Sequence, residues 1–276
     1  MSWVSTSLPA GARRTAYDVP GGALAGMQVD GDRGPVLLVP GFSGSKEDFG
    51  PLLPLLGAAG WRAVALDLRG QNESTGPDDP AAYTVDALAA EVAAVVELLG
   101  PPVHLVGHSF GGLVARRAAL ERPAAVASLT LMSSGPQALT GPRVDILDLL
   151  PEVLAAGGMG AVADASEALS AEDPAGQDVP EEVRRFLRER WLRSSGPGLV
   201  GMADALRSEP DRVEALRGTG LPLLVLHGIN DDAWEPAVQA EMALRLGAAY
   251  RVVRGRHSPA VEDPEGTAAA LLNFWA

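Results

Sequence analysis

Short apolar segments alternate along the chain with longer segments whose apolar residues recur at helical spacing. Residues 36–39 and 103–106 are of the first kind, which is typical of parallel strands buried on both faces. Residues 84–99 are of the second kind, and Thr84 is a suitable helix N-cap. This alternation predicts an α/β fold with a mostly parallel central sheet and helices on both faces.

The same reasoning assigns the remaining regular elements. Weak strands are predicted at 14–19 and 23–29, stronger strands at 64–66, 126–132, 221–226 and 250–253, and helices at 49–59, 111–122, 235–246 and 264–275.

The alternation is interrupted once, between residues 137 and 220. No strand is predicted there, only helical segments at 144–156, 161–169, 181–193 and 199–207. Ligands of α/β sheets bind at the carboxyl ends of the strands, where a helical insertion can cover them. We therefore predict an α/β core made of residues 1–136 and 221–276 and a helical cap made of residues 137–220. A separate helical interaction domain is the alternative.

The composition limits which residues can act as a nucleophile or hold a metal. The 276 residues include no cysteine, which excludes disulfides, zinc-thiolate sites, iron-sulfur clusters and a cysteine nucleophile. The single lysine, Lys46, lies in a polar stretch, so a lysine-based mechanism is disfavoured. The remaining candidates for a nucleophile are serine, threonine, aspartate and glutamate.

Charge and hydropathy make nucleic acid and membranes poor partners. The net charge is −13, from 22 basic and 35 acidic residues, and repels phosphate backbones and anionic lipid. The apolar helical stretch at 83–99 is interrupted by Asp86, Glu91 and Glu97, so we expect no membrane span. Residues 15–22 contain Tyr, Asp and Pro where an export signal needs a continuous apolar run. We expect a soluble, cytoplasmic protein.

One serine lies in a sequence pattern that is associated with nucleophilic catalysis. Gly107-His108-Ser109-Phe110-Gly111 is a G-x-S-x-G sequence between a predicted buried strand and a predicted helix. A nucleophile elbow occupies this place, and it exposes a strained serine hydroxyl above the sheet. The alternative is an ordinary glycine-rich turn between a strand and a helix.

Serine needs a general base, and four histidines are available. His104 lies inside a predicted strand and is expected in the core. His108 is next to Ser109 and is expected to hold loops together, while His227 ends a strand and is expected to orient the following loop. His257 lies in the loop after the last predicted strand, which can carry it to the mouth of the sheet. His257 is therefore the predicted base.

A carboxylate must orient the base and stabilise its charged form. The loop after the strand at 221–226 offers Asp231 and Asp232, of which we favour Asp231. The corresponding segment after the strand at 126–132 holds no carboxylate. An oxyanion would be stabilised by the backbone N–H groups of Phe110, at a helix N-terminus, and of Phe42, after the strand at 36–39.

Taken together, these motifs resemble the α/β-hydrolase superfamily, specifically its small capped serine hydrolases. The matching segments are 39–42, 67–70 with Ser74, 107–112, 227–231 and 255–264, and the resemblance runs from about residue 34 to 276, interrupted by the predicted cap. The order Ser109, Asp231, His257 is the one found in this fold. Serine at position 109 argues against the haloalkane dehalogenases and epoxide hydrolases, which use a carboxylate nucleophile.

The resemblance implies an esterase that works through an acyl-enzyme and needs no metal or organic cofactor. The expected partner is a small-molecule substrate, an apolar acyl ester bound under the cap, with Trp191 and Trp234 as candidate lining beside Phe42 and Phe110. Arg69 is expected to be an exposed structural residue. Thioesterase, lactonase and carbon-carbon bond hydrolase activities use the same residues and remain alternatives, as does a ligand-sensing or lyase role.

Overall fold

The computed structural model describes residues 3–172 and 178–276, and an eight-stranded sheet forms its centre. The spatial order of the strands is β1-β2-β4-β3-β5-β6-β7-β8; β2 is antiparallel to both of its neighbours, and β3 to β8 are parallel. The predicted mostly parallel sheet is confirmed. The strands are β1 (Ala12–Val19), β2 (Gly22–Val29), β3 (Arg33–Val39), β4 (Trp61–Leu66), β5 (Val103–His108), β6 (Val126–Met132), β7 (Leu223–Gly228) and β8 (Ala249–Val253).

Helices cover both faces of this sheet. Short 3-10 helices span Lys46–Phe49, Pro80–Tyr83 and Pro123–Ala125. The α-helices are α1 (Leu53–Ala58), α2 (Val85–Leu99), α3 (Phe110–Glu121), α4 (Pro142–Glu172), α5 (Glu181–Arg193), α6 (Gly196–Ser208), α7 (Val213–Arg217), α8 (Pro236–Leu246), α9 (Pro259–Glu262) and α10 (Pro264–Phe274).

Strand β3 illustrates how the core is divided between the two faces. Leu37 and Val39 pack with buried residues of α2 and α3, whereas Val36 and Leu38 pack with those of α1 and α10. Successive side chains of a strand point to opposite faces, so a wholly apolar strand must be covered on both. This is why the segment at 36–39 reads as a continuous apolar run.

The register of the parallel strands gathers their carboxyl ends at one edge. His108 of β5 pairs with Met132 of β6, and Met132 pairs with Leu226 of β7. The residues that follow these strands therefore meet at the same edge of the sheet, as expected for a site in an α/β fold.

One predicted helix differs from the structure. The predicted helix at 49–59 is replaced by the 3-10 turn Lys46–Phe49 and the short α1, because Pro51 and Pro54 have no N–H to continue a helix. The predicted helices at 144–156 and 161–169 correspond to the two parts of α4, which are separated by a kink at Gly157 and Gly158, where the backbone is not helical.

Between β6 and β7 every described regular element is a helix, α4 to α7. Helix α4 packs on α5 and α6, and α6 packs on the 3-10 helix Pro80–Tyr83. Arg190 of α5 forms an ion pair of 2.7 Å with Asp48, and Ser195 N donates to Gly70 O at 2.8 Å. The division into core and cap at residues 137 and 220 stays a prediction, and these contacts join the two parts as it requires.

Helix α4 is long and apolar enough to cross a membrane by length and composition alone, a test that core helices of soluble proteins also pass. Little of its most apolar stretch is buried, although Leu147 and Val162 are. The apolar helical stretch that the sequence indicates at 83–99 corresponds to helix α2 (Val85–Leu99), which is largely buried.

Lys46 is fully buried, which its polar sequence surroundings did not suggest. Its ammonium group lies 2.8 Å from Asp67, 2.9 Å from Glu47 and 2.9 Å from Glu73. Burial opposes the charged form, but the carboxylates of Asp67 and Glu47 outweigh it and raise the pKa of Lys46.

The expectation that Arg69 is exposed is wrong. Its side chain is only 11% exposed and pairs with Glu91.

Replacing the buried ammonium should destabilise the protein strongly. We expect Lys46→Met to lower the free energy of unfolding by about 3 to 5 kcal/mol, because it leaves the buried carboxylate of Asp67 without its counter-charge. The matched control is Arg14→Met, which removes the solvent-exposed partner of Glu73 and should cost less than about 1 kcal/mol. Denaturant unfolding of both variants measures the difference, and equal midpoints would contradict this account.

Candidate active site

Ser109 occupies a strained turn between β5 and α3. Its φ of 53° and ψ of −121° are unusual for a residue with a side chain. Close packing enforces the turn: a Cβ on Gly107 would lie 2.3 Å from the carbonyl oxygen of Gly111, and one on Gly111 would lie 2.3 Å from that of Pro40. The turn has the geometry of a nucleophile elbow, as the G-x-S-x-G pattern predicted.

The hydroxyl of Ser109 contacts the predicted base. Ser109 Oγ lies 2.9 Å from His257 Nε2, and His257 Nδ1 lies 2.9 Å from Asp231 Oδ1. A carboxylate only accepts, so the Nδ1 position carries the proton and Nε2 is left to accept from the serine. The three residues come from the loops after β5, β7 and β8.

The carboxylate of Asp231 is buried and well supported. Its Oδ1 also accepts from Ala233 N at 3.0 Å, and its Oδ2 accepts from Gln239 Nε2 at 2.9 Å. Burial would raise the pKa of Asp231, but hydrogen bonds and charge from His257, with the other donors, lower it to about 2. Asp231 is therefore ionised at neutral pH and can stabilise a protonated His257.

The alternative acid, Asp232, lies elsewhere. Its carboxylate is 37% exposed and bridges Arg143 at 2.7 Å and Arg256 at 2.8 Å. These contacts link the start of α4 to the loop that carries His257. Of the two neighbouring aspartates, only Asp231 contacts the histidine ring.

The other three histidines contact residues other than Ser109. His108 Nε2 donates to the carbonyl oxygen of His257 at 2.7 Å, and burial lowers the pKa of His108 to about 4, so its ring is neutral at neutral pH. His227 bonds to Gly228 O and to the Tyr250 hydroxyl. His104, near the start of β5, packs edge-on against Trp61. His108 and His227 make the loop contacts that the sequence analysis expected, whereas His104 is only half-buried and not in the core.

Two backbone N–H groups beside Ser109 have no hydrogen-bond partner within the described residues, those of Phe42 and Phe110. Phe110 is the first residue of α3, where N–H groups are unpaired and the helix dipole favours negative charge. Both groups are the predicted oxyanion donors, and their lack of partners leaves them free for that role.

A cavity of about 1280 Å³ lies over Ser109 and His257. Phe42, Trp191 and Trp234 line it, as predicted. Phe110 does not: its side chain is fully buried in the core with those of α2. The cavity's other apolar lining comes mainly from α4 and α6: Ile146, Leu147, Leu149, Leu150, Val153, Val162, Leu169 and Leu206.

Within residues 3–172 and 178–276 no group of three or more His, Asp or Glu side chains is arranged to hold a metal ion. Two buried glutamines that the sequence analysis did not single out do contact the site. Gln239 bonds to Asp231, and Gln71 bonds to the loop after β3. Gln71 lies between the matching segment 67–70 and Ser74, but nothing in the sequence assigned it a role, and Gln239 lies in no motif.

Comparison with known proteins agrees with the fold. Residues 36–270 match the model of the alpha/beta hydrolase family. The chain is 30% identical to a non-heme haloperoxidase of Rhodococcus erythropolis, over 87% of this chain and 91% of that protein. It is 27% identical to a pimeloyl-[acyl-carrier protein] methyl ester esterase of Neisseria meningitidis, over 87% and 92% of the two chains.

A solved structure of a hydrolase from Pseudomonas aeruginosa superposes with a TM-score of 0.81 at 25% identity, covering 97% of this chain and 99% of that one. The family match covers most of the chain, and the eight-stranded sheet has the arrangement that the sequence analysis expected. The protein is thus a hydrolase that belongs to the α/β hydrolase family.

Proposed function

We propose that the protein is a serine esterase that cleaves carboxylic esters of apolar acids through an acyl-enzyme. The observation that carries this proposal is the continuous hydrogen-bond chain from Ser109 Oγ through the His257 ring to Asp231. Such a chain lets a serine hydroxyl lose its proton as it attacks, which an isolated hydroxyl cannot do at neutral pH.

In the acylation half-reaction, Ser109 Oγ attacks the ester carbonyl carbon while its proton passes to His257 Nε2. The carbonyl oxygen becomes an alkoxide. When this tetrahedral intermediate collapses, His257 returns the proton to the departing alcohol oxygen, and the acyl group remains on Ser109. Asp231 holds the histidine ring in the required tautomer and stabilises its positive charge.

Deacylation repeats these steps with water. His257 takes a proton from water as the water oxygen attacks the acyl carbon, and then returns it to Ser109 Oγ as the carboxylic acid leaves. The N–H groups of Phe42 and Phe110 are free to bind the alkoxide in both half-reactions. Because this charge develops only in the transition state, donors fixed in advance accelerate the reaction.

The lining and the size of the cavity favour a substrate whose larger part is an apolar acyl group. Helices α4 and α6 supply mainly aliphatic side chains to it, and its volume of about 1280 Å³ is above the usual range for small-molecule sites, about 300 to 1000 Å³. We propose that residues 137–220 act as a cap that shields this acyl group. The likeness to a pimeloyl-[acyl-carrier protein] methyl ester esterase supports a carboxylic ester as the substrate.

Labelling tests the nucleophile. The wild-type protein should hydrolyse p-nitrophenyl esters and react covalently with a fluorophosphonate probe at Ser109. Ser109→Ala should abolish labelling and lower kcat by on the order of 10⁴- to 10⁶-fold. Ser166→Ala, a serine that lines the cavity from α4, is the control and should retain both. A wild type that neither labels nor turns over any ester would overturn the proposal.

The two neighbouring aspartates provide a matched pair. Asp231→Asn should reduce kcat by about 10⁴-fold, because the asparagine amide can hold the histidine in the wrong tautomer. Asp232→Asn loses only exposed ion pairs and should change kcat by less than about fivefold. Steady-state kinetics on one ester compare them, and the reverse pattern would make Asp232 the acid.

Acyl chain length tests the substrate class. For p-nitrophenyl esters, kcat/KM should rise about fourfold for each methylene that the cavity buries. Val153→Phe, which fills the cavity from α4, should shift the preferred chain to shorter acids. Leu192→Phe, on the exposed surface of α5, is the matched control and should leave the preference unchanged. Faster turnover of thioesters or lactones than of every ester would favour those alternatives.

A further inference from the structure

The side chain of Gln71, in the turn after β4, reaches the loop that follows β3. Its Nε2 donates to Gly41 O at 2.7 Å and to Phe42 O at 3.1 Å, and its Oε1 accepts from Leu68 N at 3.0 Å. Gln71 is only 2% exposed. This arrangement uses both amide protons and the amide oxygen, so only one orientation of the amide group fits.

The turn around Gln71 holds the side chain in place. Gln71 N donates to Leu68 O at 3.0 Å, and Ser74 N donates to Gln71 O at 2.8 Å. Gly41 O accepts a second hydrogen bond from Gly44 N at 3.1 Å. The carbonyl of Gly41 is thus fixed by two donors from two different segments.

Fixing this carbonyl also fixes the neighbouring N–H. The peptide group that joins Gly41 and Phe42 is planar, and in the usual trans form its C=O and N–H point in opposite directions. A donor that holds the Gly41 oxygen on one side therefore directs the Phe42 N–H to the other side. That N–H has no partner among the described residues.

The same loop lies directly against the nucleophile. A Cβ on Gly41 would lie 3.2 Å from both Ser109 Cβ and His108 Nδ1. With so little space between the loop and the elbow, a rotation of the peptide that follows Gly41 would change the position of the Phe42 N–H relative to the reacting carbonyl.

We propose that Gln71 is a positioning residue for the oxyanion site: its amide locks the peptide between Gly41 and Phe42 so that the Phe42 N–H is ready to bind the alkoxide. This inference rests on the proposed esterase function. Gln71 touches neither the substrate nor Ser109 in this role and acts only through the backbone of the loop after β3.

Steady-state kinetics of Gln71→Met test the proposal. Methionine matches the length of glutamine but donates no hydrogen bond, so kcat should fall by about 10- to 100-fold while KM stays within about twofold. The matched control is Gln28→Met, which removes another buried glutamine amide, in β2, away from the cavity. Thermal unfolding of both variants shows whether the losses of stability are comparable.

A transition-state analogue separates positioning from a general structural effect. Ser109 Oγ adds to the carbonyl of an alkyl trifluoromethyl ketone, its proton passes to His257, and the ketone oxygen becomes an alkoxide in the oxyanion site. The inhibition constant of this ketone should rise in Gln71→Met by the same factor by which kcat/KM falls. The inhibition constant of the neutral primary alcohol with the same alkyl chain, which carries no negative oxygen, should stay unchanged.

Gln71→Glu provides a second variant in case the methionine variant does not fold. The carboxylate keeps an acceptor for Leu68 N but places an oxygen against Gly41 O and Phe42 O, so kcat should fall at pH 8. Protonation restores one donor, so the ratio of its kcat to that of the wild type should rise as the pH is lowered towards 5. A ratio that does not change with pH would contradict the proposal.

The outcomes distinguish this inference from the function on which it rests. If the wild type hydrolyses esters and Gln71→Met matches Gln28→Met in kcat and in ketone affinity, or differs only in KM, the role of Gln71 is wrong and the esterase proposal stands. If the wild type shows neither turnover nor labelling of Ser109, both proposals are overturned.

Discussion

The close approach of three backbone segments around Ser109 is the constraint on which the rest of the site depends. Strand β5, the start of α3 and the loop after β3 come so near one another that side chains on Gly107 or Gly111 would collide with backbone atoms, and one on Gly41 would lie tightly against the serine. This packing holds Ser109 at a φ of 53°, at a cost of about 1 to 3 kcal/mol that the surrounding sheet must supply. Next to this packing, the N–H groups of Phe42 and Phe110 have no hydrogen-bond partner among the residues that the structure describes.

Charge is arranged around this packing so that the buried side chains of Asp231, His108 and Lys46 each have a defined partner. Asp231 remains ionised with a pKa of about 2, whereas burial keeps His108 neutral as it holds the backbone of His257. At the far end of the loop after β3, Lys46 is enclosed by carboxylates from the loop itself and from the segment after β4. The loop that carries the candidate oxyanion donor is thus anchored by the glutamine amide of the turn after β4 and by a buried ion cluster.

The helices between β6 and β7 contribute in a different way. They supply most of the apolar surface of the cavity, and they contact the core both through buried apolar side chains, such as Met202 of α6, and through polar links, such as Arg190 with Asp48. The groups that we propose to react all lie on the core loops, whereas most of the cavity's apolar lining comes from these helices. If the proposed function holds, changes in these helices should alter which acyl group fits while leaving the serine, histidine and aspartate in place.

The sequence by itself determined the parallel sheet, the elbow at Ser109 and the choice of His257, because strands buried on both faces and the G-x-S-x-G turn leave local patterns. It favoured Asp231 as the acid but did not exclude the adjacent Asp232, because neighbouring residues in a loop can direct their side chains to different places. Only the folded loop directs Asp231 to the histidine and Asp232 to the arginines. The burial of Lys46 and the contacts of Gln71 were decided by tertiary structure alone. Both depend on segments more than 20 residues apart meeting at one edge of the sheet, and no local pattern of hydrophobic and polar residues encodes such a contact.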